Sequence, residues 1–173
     1  MCFIWSILAQ LHPAENKNPQ RVNQYEKYLN TLKYDGIEMP MSVGDINRFE
    51  KLNQDLTINV FAYEEGIVFP RRISERRGEK LINLIMFDNL KNGYHYVLTK
   101  NFDKLLGSRY AHQRKFCPYC CHGIKIEGYS PEKIKEHMDT CFTYGGAKIV
   151  MPEEGKNDKL KFKDYSKQLE APF

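Results

Sequence analysis

The sequence predicts an α+β fold in which N-terminal helices pack on a small, mostly antiparallel sheet, with a cysteine and histidine module after it. Helical apolar spacing dominates the start of the chain, and short runs rich in β-branched and aromatic residues follow it. Helices first and strands second are typical of a helical layer on one face of a sheet. Four of the five cysteines then lie together between positions 117 and 141.

Three helical segments are predicted ahead of the strands. Apolar residues recur at helical spacing from Cys2 to Leu11, which predicts a buried N-terminal helix. Ser42 and Asp45 resemble a capping box ahead of a short helical turn. Between these two segments, a second amphipathic helix is predicted from the spacing of its apolar residues, Val22, Tyr25, Leu29 and Leu32.

The rest of the chain predicts four strands and three regions. The runs at residues 58–63, 67–69, 81–87 and 94–99 have strand composition and are separated by turn-forming residues. We therefore expect an α+β domain over residues 1–110 and a zinc-finger module over residues 111–144. Residues 145–173 have the composition of a connector, with a predicted strand at 148–151.

Composition limits the class of protein. The 173 residues include 26 basic and 22 acidic side chains, and the net charge of +4 permits contact with nucleic acid without demanding it. The longest apolar stretch is too short for a membrane span and no basic segment precedes it, so we expect neither a membrane anchor nor a signal peptide. The clustered cysteines argue against a disulfide framework and predict a reducing intracellular compartment, the nucleus or the cytoplasm.

The cysteine cluster has the spacing of a zinc site. Cys117 and Cys120 form a CxxC knuckle. His137 and Cys141 lie one helical turn apart, on a helix predicted to start near Pro131. Four ligands of these types fill a tetrahedral shell, so the sequence predicts one structural zinc ion with no open position for catalysis.

Three questions about this module stay open from sequence alone. Either Cys121 or His122 can replace a neighbouring ligand in the shell. Residues 123–129 give the spacer room for a short β-hairpin. The third question is whether the finger also contacts nucleic acid. Residues 111–141 hold five basic and four acidic side chains, so the finger lacks the basic surface that phosphate binding usually requires.

Cys2 and His95 have the order of a catalytic nucleophile and base. Cys2 opens the first helix, where free backbone N–H groups favour a thiolate. His95 begins a predicted strand, and this arrangement resembles papain-like and ovarian-tumour-type cysteine peptidases. Val97 departs from that pattern, because ovarian-tumour enzymes often have Asn or Asp there. The simpler alternative is a buried structural cysteine and a strand-end histidine.

A basic run lies between the second and third predicted strands. Its arginines, the strongest candidates for contact with phosphates or an acidic partner, are Arg71, Arg72, Arg76 and Arg77. Solvated charge on a loop is the simpler alternative.

Several segments together resemble one known arrangement. They are Cys2-Phe-Ile-Trp-Ser-Ile-Leu-Ala-Gln-Leu-His-Pro13, the runs at 58–61 and 95–98, the CxxC finger, and residues 160–173, which end in Ala-Pro-Phe. They resemble the region ahead of the exonuclease domain in protein-primed B-family DNA polymerases of Polinton (Maverick) elements and related viruses, over essentially the whole chain. The resemblance implies a polymerase-associated or domesticated fragment, in which the connector at 145–173 would lead into an exonuclease domain. The chain itself has no exonuclease or polymerase carboxylate motif, so the resemblance implies no such activity for it. The zinc ligands are the only site residues that the resemblance carries over.

Two functional hypotheses follow. The first is a non-catalytic, zinc-binding accessory module related to mobile-element DNA polymerases, which contacts DNA or a protein partner and needs no small-molecule cofactor. The four arginines of the basic run would make the contacts. The alternative is a cysteine peptidase or deubiquitinase-like domain, with Cys2 as nucleophile and His95 as base.

Overall fold

A four-stranded sheet forms the centre of the structure. The structure is a computed structural model that describes residues 1–14, 18–64, 66–89, 93–107, 110, 112–128 and 130–145. Most of the predicted connector, with its strand at 148–151, lies outside the described residues. The four strands are β1 Leu56–Glu64, β2 Ile67–Arg72, β3 Lys80–Asn89 and β4 Gly93–Leu98.

The sheet has the strand order β2-β1-β3-β4. β1 pairs with β2 and β3 pairs with β4 in antiparallel fashion, as expected of strands joined by short turns. β1 and β3 run parallel, because the chain leaves β2 at the edge and crosses back to the other side of β1. The predicted α+β class with a mostly antiparallel sheet is confirmed, and the central pair makes the sheet mixed.

Two helices, α1 Cys2–Leu11 and α2 Ile46–Leu52, cover one face of this sheet. Their aromatic side chains meet those of the sheet: the Phe3 ring packs edge-on against Phe49 and against Tyr96, with 5.2 Å between ring centroids in both cases. Even-numbered residues of β1, β3 and β4 face this layer, because successive side chains of a strand point to opposite faces. None of the helices in the described part of the chain has the length and apolar content of a membrane span.

The predicted second amphipathic helix is wrong in type. Two 3₁₀-helices, Val22–Gln24 and Glu26–Thr31, occupy this segment. The Tyr25 and Tyr28 backbone N–H groups donate three residues back, to Val22 and Tyr25. Only Tyr25 and Leu32 of the four predicted apolar positions are buried, so the segment lacks the continuous apolar stripe that would stabilise an α-helix.

The second face of the sheet carries elements from the later part of the chain. These are α3 Phe102–Gly107, β5 Arg114–Phe116, β6 Gly123–Lys125 and α4 Pro131–Tyr144. The Phe102 ring lies 4.8 Å from the ring of Phe61, which faces away from α1 and α2. α3 and β5 are not among the elements predicted from the sequence.

Candidate metal centre

Four side chains converge on one point between the β5–β6 hairpin and α4. The sulfur atoms of three cysteines and a ring nitrogen of a histidine all lie within 4.8 Å of one another, and they belong to the predicted set Cys117, Cys120, His137 and Cys141. His137 Nε2 lies 3.4 Å from the sulfur of Cys120 and 3.5 Å from that of Cys141. The structure therefore brings together all four predicted ligands.

The knuckle that holds the first two cysteines is closed by backbone hydrogen bonds. The Cys117 N–H donates to the carbonyl of His122 at 3.0 Å, and the Cys121 N–H donates to the carbonyl of Cys117 at 2.9 Å. β5 and β6 pair on either side of this turn, with Phe116 opposite Gly123. The hairpin thus encloses the knuckle, and the alternative of a hairpin made entirely within residues 123–129 is wrong.

Helix α4 supplies the other two ligands. Its N-cap is Ser130, whose hydroxyl accepts a hydrogen bond from the Lys133 N–H at 3.4 Å, and Pro131 occupies the first turn as the sequence predicted. His137 and Cys141 are one turn apart on the same helix face. The predicted start of this helix is confirmed.

The neighbouring Cys121 and His122 stay outside the cluster. Cys121 has a φ of 59°, which places it in the left-handed region. The His122 ring centroid is 5.8 Å from that of His137, and His122 contributes its backbone carbonyl to the knuckle. The geometry therefore favours Cys120 as the second cysteine ligand.

The donor set fits a tetrahedral cation of the zinc type. Zn–S bonds near 2.3 Å and Zn–N bonds near 2.0 Å place a sulfur and a nitrogen roughly 3.5 Å apart, which matches the two sulfur–nitrogen distances here. Burial raises the pKa of the Cys117 thiol. Burial, and then a hydrogen bond with Cys120, raises that of Cys141 to about 12. Crowded thiols of this kind ionise readily only when a cation neutralises them.

Two polar residues that the sequence analysis missed attach the hairpin to the rest of the fold. Asn59, fully buried in β1, donates to the carbonyl of Pro118 at 3.1 Å and accepts from the Ser74 N–H at 3.0 Å. Asp103 of α3 accepts from the Phe116 N–H at 2.8 Å and pairs with Lys115 at 2.6 Å. An asparagine inside an apolar strand run was the available signal for the first of them.

Arg77 links the basic run to α4. Its guanidinium forms an ion pair with Asp139 at 2.5 Å and lies over the ring of Phe142, 5.5 Å from the centroid. The Phe142 ring in turn lies 5.3 Å from that of Tyr119 in the knuckle. The loop after β2 therefore contacts the metal-binding helix directly.

Two other arginines of the predicted basic run face inward. Arg72 donates to the carboxylate of Glu50 at 2.7 Å, with only 9% of its side chain exposed, and that carboxylate also accepts from the Ile58 N–H at 2.6 Å. Arg76 is half-buried and donates to the Glu50 carbonyl at 3.4 Å. Arg71 is exposed. The predicted contact of Arg72 with a phosphate is therefore wrong, because its guanidinium is paired inside the fold. Contact between this basic run and nucleic acid stays a prediction, and it depends on the exposed Arg71 and Arg77.

Cys2 and His95 line the same cavity, of about 640 Å³, beside α1 and β4. The Cys2 sulfur bonds to the strand edge: it accepts from the Tyr96 N–H at 3.4 Å and is 3.8 Å from the Tyr94 carbonyl. Ser6, one turn later, donates to the Tyr96 carbonyl at 3.0 Å. In the part of the chain that the structure describes, no hydrogen bond joins Cys2 to His95. His95 precedes Tyr96 in β4, so its side chain points to the opposite face of the sheet from that of Tyr96.

No protein-family model, curated protein or solved structure matches this chain.

Proposed function

We propose that this chain is a zinc-binding, non-catalytic accessory module in which one structural zinc ion stabilises the β5–β6 hairpin against α4. The observation that carries the proposal is the closed set of four donors within 4.8 Å. Three thiolates and one imidazole fill a tetrahedral shell and leave no position for a reacting water molecule. The short hairpin and single helix bury few apolar side chains of their own, which is the usual setting of a structural zinc ion.

The metal content of the purified chain tests this proposal. We expect one zinc ion per chain by elemental analysis, with release by a thiol-modifying reagent. A chain that folds with the same hairpin and α4 contacts but retains no divalent metal after dialysis would overturn the proposal.

The accessory role rests on the resemblance to the segment ahead of the exonuclease domain in protein-primed DNA polymerases. Support from the structure is indirect: the metal centre is bonded to the sheet through Asn59 and to the basic run through Arg77. We propose that the module contacts DNA or a protein partner of such a polymerase. Salt-dependent DNA binding that weakens on Arg71→Glu is the expected result for direct contact. Absence of DNA affinity at low salt would leave a protein partner as the remaining form of this role.

The alternative function, a cysteine peptidase, is favoured by one observation, the cavity that Cys2 and His95 share. Against it, the Cys2 sulfur accepts a hydrogen bond from the backbone of β4, which is a structural role for this side chain. A peptidase would react with a ubiquitin-based or generic thiol probe at Cys2 and lose that reaction on His95→Ala. We expect no such His95-dependent labelling of the native chain.

A further inference from the structure

Among the residues that the structure describes, none covers one end of the second face of the sheet. Near its middle, Phe61 is covered by Phe102 of α3, and Asn59 is covered by the knuckle. Further along the strands this cover ends: Tyr63 of β1 is 47% exposed and Phe87 of β3 is 41% exposed. Large aromatic side chains with this exposure, next to each other on a sheet, indicate a surface that meets another molecule.

Ring side chains from three adjacent strands form one row on this open end. The Tyr63 and Phe87 rings lie 6.2 Å apart between centroids. Phe87 is the direct partner of His95 across β3 and β4, and the His95 side chain is exposed. On the other side, Tyr63 is the partner of Val68 in β2. We call Tyr63, Phe87 and His95 the ring row.

The charges around the ring row suit a polyanion. Neither the ring row with Val68 nor the adjacent row of the same face, Pro70, Phe61, Ile85 and Val97, contains a carboxylate. Exposed cations follow the two edge strands of the sheet: Arg71 comes directly after Pro70 in β2, and Lys100 comes two residues after Leu98, the last residue of β4.

We infer that the ring row is a stacking platform for single-stranded nucleic acid. This inference rests on the proposed accessory role and names the surface and the form of nucleic acid that the role would use. Exposed rings on neighbouring strands bind unpaired bases by stacking, without sequence preference, while nearby cations meet the phosphates. The bases of a duplex are stacked on each other, so the platform has no comparable contact with double-stranded DNA.

The experiment measures the anisotropy of a fluorescein-labelled oligothymidine of about 15 nucleotides, within the usual site size of such surfaces, against the full zinc-loaded chain at low salt. Tyr63→Ala and Phe87→Ala should each weaken binding by about tenfold. Tyr63→Phe keeps the ring and should bind as the unchanged chain does. Tyr144→Ala is the matched control, because Tyr144 is an 83% exposed aromatic residue at the end of α4 and has no ring contact with Tyr63 or Phe87 among the described residues. Zinc content and circular dichroism establish that each variant is folded.

Three results would overturn the inference. If oligothymidine binding is unaffected by Tyr63→Ala and Phe87→Ala but lost on Arg71→Glu, DNA contact survives and the platform does not. If the duplex of the same length binds as tightly as the single strand, stacking on unpaired bases is not the mode of contact. If neither form binds at low salt, the platform and the DNA-contacting form of the proposed function both fail, while the zinc site stands on its metal content.

Discussion

Cys120 and Cys121 are adjacent in the chain and differ in backbone conformation. Cys121 is in the left-handed region, with a φ of 59°, where a side chain costs about 1 kcal/mol relative to glycine. This turn closes the knuckle, since the Cys121 N–H donates to the Cys117 carbonyl. The strained residue shapes the turn, and the residue before it supplies the sulfur to the cluster.

The two cysteines should therefore respond differently to substitution. Cys120→Ser removes a donor of the four-atom set and should weaken zinc binding by more than about 100-fold, as judged by competition with a chromogenic chelator. Cys121→Gly should retain one zinc ion per chain and leave the melting temperature unchanged or higher, because glycine relieves the left-handed strain. Loss of zinc from the Cys121 variant instead would reassign the ligand.

Arg72 is a buried structural cation. Its guanidinium and the Glu50 carboxylate are 9% and 1% exposed, and the same carboxylate accepts from the Ser74 hydroxyl. Arg72→Ala leaves the Glu50 charge buried without its partner, so we expect the free energy of unfolding to fall by about 3–5 kcal/mol in urea titrations. Arg71→Ala, at the exposed neighbouring position, is the control and should change it by less than about 0.5 kcal/mol. Equal effects of the two changes would contradict this account.

The β5–β6 hairpin depends on a close contact between its two strands. Gly123 is opposite Phe116, and a Cβ atom on Gly123 would lie 2.7 Å from that buried ring. The ring has little room to move, because Phe116 is 4% exposed. The hairpin therefore requires glycine at position 123 for space.

Gly123→Ala should widen the hairpin and weaken the metal centre. The clash should cost about 1–3 kcal/mol, measured as a lower melting temperature of the zinc-bound chain, with weaker zinc binding. Gly44→Ala is the control for loss of a glycine without a clash, because Gly44 has no positive φ and an added Cβ there would meet only the Ser42 hydroxyl, at 3.6 Å. A Gly123 variant as stable as the Gly44 variant would show that the Phe116 ring has another position.

Helix α1 has a second role besides burying its apolar face. β4 is an edge strand, and its outward backbone groups need partners. Cys2 and Ser6, one helical turn apart, bond to the backbone of Tyr94 and Tyr96 and so cap this edge. This explains both polar side chains of the otherwise apolar start of the helix.

On the scale of the whole molecule, the metal centre and the sheet are joined by Asn59. This side chain is 0% exposed and bonds to both the knuckle and the loop after β2. If the knuckle opens, the Asn59 amide loses its carbonyl partner inside the protein, which costs about 1–3 kcal/mol. Metal loss should therefore be transmitted to the sheet.

Removal of zinc with a chelator should unfold the hairpin and α4 while the sheet core persists. We expect amide hydrogen exchange to become fast for residues 114–144 and faster, but still protected, for Ser74, whose N–H bonds to Asn59. Strands β1 and β3 should keep their protection, because α1 and α2 cover them independently of the metal centre. Complete loss of protection in β1 and β3 would show that the chain has a single cooperative unit.

The sequence alone determined the elements whose signals are local. The ligand set lies in one turn and on one helix face, so residue spacing was enough to place Cys117, Cys120, His137 and Cys141 together. The N-terminal helix followed from apolar periodicity, and the four strands followed from runs of β-branched and aromatic residues between turn-forming residues.

Tertiary structure decided what depends on residues far apart in the chain. Arg72 is buried because β2 crosses beside Glu50 of α2, and Asn59 is satisfied because the knuckle docks on β1. Tyr63 and Phe87 are exposed because, in the described part of the chain, α3 and the metal module cover only part of the second face of the sheet. The spacing of residues in the sequence specifies contacts within one turn or one helix. Which side chains are buried, and which residues they meet across the sheet, depends on strand order and packing. These depend on residues far apart in the chain, so no local sequence pattern specifies them.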